Sequence, residues 1–160
     1  MSDYSFKLWI FLASDVERPI GGVKQLYRFC EACQTLGVTS TVIQKSQSFR
    51  PSWFTSEAPA ISLAAFNSLK LNPSVDLLVI PETVVDSTQS FHPQLKRIIF
   101  NQNSSYTFGL DDKSIVHPRA LFRHYQNALH SLVISQYDHL FLSSLFSLDE
   151  SSLSLLINPI

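Results

Sequence analysis

A chain of 160 residues has the length of one domain with a sizeable core. Hydrophobic residues make up 45% and charged residues 16%, below the roughly 25% usual in soluble domains, so the surface carries little charge or lies against something else. A net charge of −1 excludes the basic footprint of a nucleic-acid binder, and no apolar run nears the ~18 residues of a membrane span, so a cytoplasmic protein without a signal peptide is expected.

Residues 8–13, Leu-Trp-Ile-Phe-Leu-Ala, predict a first strand. The stretch Arg18-Pro19-Ile20-Gly21-Gly22-Val23-Lys24-Gln25-Leu26-Tyr27-Arg28 follows. Its paired glycines permit close backbone approach and positive φ. The helix they open presents free N–H groups and a positive dipole end, suited to a phosphate. Val23, Leu26, Tyr27, Cys30 and Cys33 fall on one face of a 3.6-residue period, and Gly37 supplies a stop. Residues 39–43 read as a β-branched strand. Residues 45–59 read as a long loop whose Phe49, Trp53 and Phe54 are too apolar for a bare linker.

Residues 61–71 predict a helix and 75–80 a buried strand ended by Pro81-Glu82. A fourth strand is expected at 97–100, loop over 103–118, a helix at 119–129 and a fifth strand at 131–135. A helix over 138–146 and a short strand over 153–157 close the chain. Alternation of this kind predicts one α/β Rossmann-like domain, with a largely parallel sheet of about six strands and helices on both faces.

In open parallel sheets, ligands sit at the carboxyl ends of strands near a switch in strand order. Gly21-Gly22, Glu82, Asn101 to Asn103 and Ser135-Gln136 all follow predicted strands and are expected on one edge. Each has a plainer alternative. The glycines make a tight turn, Lys24 faces solvent, Glu82 caps a helix, and Asn101 and Asn103 form turns. Ser135 and Gln136 read as structural. Cys30 and Cys33, at i, i+3 inside a helix, read as core rather than redox or zinc ligands. His92, His117, His124, His130 and His139 lack metal-ligand spacing and read as surface residues; no metal or cofactor is implied. Asp111-Asp112 reads as a solvated loop pair. An acidic cluster after the first strand would suit a receiver-like signalling domain, and Asp15 alone is a poor substitute.

The Gly21-Gly22 segment resembles the first β–loop–α unit of the retaining glycosyltransferases of family 4, which have two Rossmann-like halves, the GT-B fold. Lys96 to Asn103 with Tyr106-Thr107-Phe108, and Leu132 to Asp138 with Phe141-Leu142, fit the same template. The resemblance implies an N-terminal, acceptor-side domain. Its phosphate contact would be Gly21 and Gly22, its acceptor pocket Glu82, Asn101, Asn103 and Tyr106. Where family members often carry a His, this chain reads Asn101-Gln102-Asn103. The family's donor-binding domain, with its basic pair and spaced glutamates, is expected to be absent from these residues. Donor and acceptor would then be engaged productively only with a second domain or a separate donor-binding chain. The alternative is a non-catalytic binding or interaction domain with the same fold.

Overall fold

The computed structural model describes residues 6–12, 14–109 and 115–156. Its strands are β1 (Lys7–Phe11), β2 (Thr39–Gln44), β3 (Ala60–Ser62), β4 (Asp76–Pro81), β5 (Lys96–Asn101), β6 (His130–Val133) and β7 (Leu153–Leu155). The helices are α1 (Gly21–Thr35), α2 (Leu63–Asn67), α3 (Pro118–Asn127) and α4 (Gln136–Phe146). The fold is α/β, with a seven-stranded sheet in the order β3-β2-β1-β4-β5-β6-β7. The β1/β2, β1/β4, β2/β3, β5/β6 and β6/β7 pairings are all parallel. By contacts the chain divides after Val79 into two compact units.

In the first unit, β1 lies between β2 and β4, so the strand order reverses at β1. α1 buries the predicted stripe of Val23, Leu26, Tyr27, Cys30 and Cys33. Both cysteines are free, and burial pushes the Cys33 thiol up to about 11. Such thiols pack as small apolar groups and are poor nucleophiles. Gly37, at φ 79°, ends α1: its N–H returns to Gln34 O (3.0 Å) and that of Val38 to Cys33 O (2.9 Å). This paired bonding satisfies carbonyls that the helix leaves open, and only glycine adopts the required conformation without strain. The aromatic loop packs back on α1, with Phe54 5.3 Å from Tyr27 and Trp53 Nε1 donating to Val16 O (3.0 Å).

The predicted helix over 61–71 is instead β3 followed by the five-residue α2. Ser62 ends the strand and caps the helix, its hydroxyl accepting from Ala65 N (3.2 Å). That is the strand missing from the expected six.

In the second unit, β5, β6 and β7 alternate with α3 and α4. His117 caps α3 by accepting from Arg119 N at Nδ1 (3.1 Å), and Pro118 occupies the first turn, where its missing N–H costs nothing. Among the described residues, no helix is long and apolar enough to cross a membrane. Asp111-Asp112 and Ile157 lie outside the described residues.

Candidate functional site

The carboxyl ends of β4 and β5 hold a buried polar cluster in the second unit. Pro81 ends β4, and Glu82 opens a 3-10 turn (Glu82–Val84) with its side chain only 5% exposed. Burial pushes its carboxyl up to about 7, reinforced by the charge of Asp138 and opposed by hydrogen bonds from the backbone N–H groups of Glu82, Gln102 and Asn103. Its Oε2 is buried without a hydrogen-bond partner. A carboxyl poised near neutrality can both give and take a proton in ordinary conditions.

Asn101 ends β5 and is wholly buried. Its Nδ2 donates to Thr107 Oγ1 (2.9 Å) and to the Tyr125 hydroxyl (2.8 Å), while Oδ1 has no partner. Burial also raises the Tyr125 phenol, and its ring stacks on Phe146 with centroids 4.2 Å apart. Gln102 Oε1 is a third buried acceptor without a donor. Asn103 is committed locally: its Oδ1 accepts from Ser105 N (2.9 Å) and caps the 3-10 turn Ser104–Tyr106. Tyr106 is 43% exposed.

Asp138 is the hub that the sequence reading passed over. Its Oδ1 accepts from Ser104 N (2.9 Å) and from the Ser104 hydroxyl, and its Oδ2 accepts from Ser135 Oγ (2.6 Å). Ser135 Oγ in turn accepts from Asp138 N (3.0 Å), so Ser135 caps α4, as its structural reading anticipates. The Ser135-x-x-Asp138 spacing is a capping-box pattern and was the available signal.

Gly21 and Gly22 belong to the first unit, after β1, at the point where strand order reverses. They are the first two residues of α1, behind an extended Ile20 that offers no side-chain cap, and no acidic residue occupies the first turn. An uncapped, fifteen-residue helix presents backbone donors and a positive dipole end. The expected positive φ is not used at either glycine; both are helical, because the turn from β1 is completed by residues 14–20 and not by the pair. A Cβ built on Gly21 meets nothing within 4 Å. Lys24 is exposed. Asp15 anchors a loop, its Oδ1 accepting from Lys45 N (3.0 Å) and Ser46 N (3.2 Å).

The second unit therefore brings Glu82 against the backbone of Gln102 and Asn103, beside Asn101, Tyr125 and Asp138. No protein-family model and no curated protein matches the chain.

Proposed function

We propose that these residues form the acceptor-side half of a retaining glycosyltransferase of GT-B type, similar to family 4. The intact enzyme moves a sugar from a sugar nucleotide to an acceptor hydroxyl. The supporting observation is the trio of buried oxygens without donors, Glu82 Oε2, Asn101 Oδ1 and Gln102 Oε1. Buried acceptors left unmade are costly, and saccharide hydroxyls are the donors that such a set recognises. Glu82 would hold or take the proton of an acceptor hydroxyl. The uncapped start of α1 at Gly21-Gly22 would meet the donor phosphate.

Donor orientation and charge stabilisation need a donor-binding half, so on this reading the 160 residues alone bind acceptor without turnover. The test titrates the isotope-labelled chain with mono- and oligosaccharides and separately incubates it with labelled sugar nucleotides. Saturable shifts at Glu82, Asn101 and Gln102 without sugar transfer are expected. Robust turnover by this chain, or no saccharide binding, overturns the proposal.

A second reading, a non-catalytic interaction domain, is favoured by α4, where Tyr137 is 71% and Leu140 58% exposed. Under it, Tyr137→Asp with Leu140→Asp abolishes partner binding while Glu82→Gln leaves it intact.

A further inference from the structure

The second unit holds a cavity of about 280 Å³ at the entrance of β5, the opposite end of that strand from Asn101. Ile80, Val85 and Ile99 give it apolar walls, Lys96, Arg97 and His124 are among its polar groups, and Ala128 lies on its lining. His124 is already engaged, with Nε2 3.0 Å from Asp86 Oδ1.

Arg97 is the unsatisfied member. Its Nη2 donates to three carbonyls, Thr88 O (3.0 Å), Gln89 O (3.3 Å) and Phe91 O (2.8 Å), while its Nε is buried with no acceptor. Among the described residues no carboxylate lies within ion-pair distance of Arg97; the close contacts of that kind are Arg28–Glu31 and His124–Asp86. A guanidinium partly withdrawn from water and met only by neutral carbonyls lacks a counter-charge as well as an acceptor. A carboxylate supplies both in one group, through short charge-assisted bonds. The apolar walls ask for more than a bare ion. An engineered apolar cavity of roughly 150 Å³ takes benzene, so this one has room for a ring or a short branched chain carrying an acid group.

We propose that this cavity binds a small organic acid with an apolar body, the carboxylate held by Arg97 and the body lying against Ile80, Val85 and Ile99. The site is independent of the glycosyltransferase reading, since it shares no residue with the Glu82 cluster.

The test uses benzoate as the probe, titrated into the isotope-labelled chain and followed by the amides of Val85, Gln89 and Arg97 and by the Arg97 Nε–H signal. Saturable shifts at those positions are expected. Benzyl alcohol, with the same ring and no charge, is expected to bind at least about tenfold more weakly. Inorganic phosphate should leave the Val85 amide unmoved. Ala128→Trp fills the cavity at a residue that makes none of the side-chain hydrogen bonds of Arg97, and should abolish the benzoate shifts while the rest of the spectrum stays dispersed. Absence of saturable benzoate shifts in the unmodified chain overturns the proposal, as does equal binding of benzyl alcohol. Phosphate binding as tight as benzoate would also overturn it, by showing an anion site indifferent to the apolar body. Retention of benzoate binding by a folded Ala128→Trp chain would place the ligand elsewhere and has the same consequence.

Discussion

The carboxyl ends of the strands differ in kind between the two units. After β1 in the first unit, the chemistry is made of backbone: α1 starts with Gly21 and Gly22, no side chain caps it and its first turn holds no acidic residue. After β4 and β5 in the second, it is made of side-chain oxygens, several buried and lacking donors. One end offers donors and attracts anions, while the other offers acceptors and attracts hydroxyls or protons. The second end is itself divided. Asp138 has each oxygen engaged by Ser104 or Ser135, whereas Glu82 keeps one oxygen unpartnered. Two buried carboxyls in one cluster thus have different tasks: Asp138 fixes the scaffold, and Glu82 remains available.

That division predicts the largest effect at Asp138. Asp138→Ala strands the buried Ser104 N–H, removes the partners of two hydroxyls and weakens the α4 cap. The expected cost is roughly 3–4 kcal/mol, read as a shift of the urea unfolding midpoint. A loss below about 1 kcal/mol would show that the hub is dispensable and that the two carboxyls are equivalent.

Glu82 should respond to pH in the opposite sense from an ordinary ion-paired carboxylate. Its folded-state carboxyl is raised from 4.5 to about 7, so the native state holds an extra proton between those values. Stability from this group is therefore fully present below its unfolded value and is lost as pH rises through about 7, a total of about 3 kcal/mol. Unfolding in urea at pH 5 and at pH 8 measures the difference. Glu82→Gln should flatten that window and leave the chain less sensitive to alkali; an unchanged pH profile in the variant assigns the dependence to another group.

The fold was legible in the sequence where a local period carried it, as with the α1 stripe and the Gly37 stop, both set by backbone geometry within a few residues. β3 was not, because three residues show no alternation and its strand character comes from pairing with Val42, Ile43 and Gln44. In the site, Glu82 could be found because Pro81 ends an apolar strand in front of it. The partnership of Ser104 with Asp138 spans 34 positions and has no spacing signature; only the Ser135-x-x-Asp138 box hinted at it. The paired glycines misled in one respect. Their adjacency suggests positive φ, yet positive φ among the described residues falls at His92, Ser147, Gly37 and Gly109.

The glycines provide the smallest and most diagnostic pair of effects. At Gly37 the φ of 79° is strained for any side chain although a Cβ would find open space, so Gly37→Ala should destabilise by about 1 kcal/mol. At Gly21 the backbone is already helical and the added methyl touches nothing within 4 Å. Gly21→Ala should therefore stabilise, by about half a kcal/mol, because alanine loses less backbone entropy than glycine on entering a helix. Paired thermal melts of the two variants check both signs. The second variant also sharpens the contrast between the two units. On the proposed glycosyltransferase reading, if the start of α1 acts through its N–H groups, Gly21→Ala keeps every donor and would leave sugar-nucleotide affinity of the chain joined to a donor-binding half within about twofold. If the affinity collapses in a variant that folds well, the ligand needs the space above Gly21, and the backbone-donor account of that end fails.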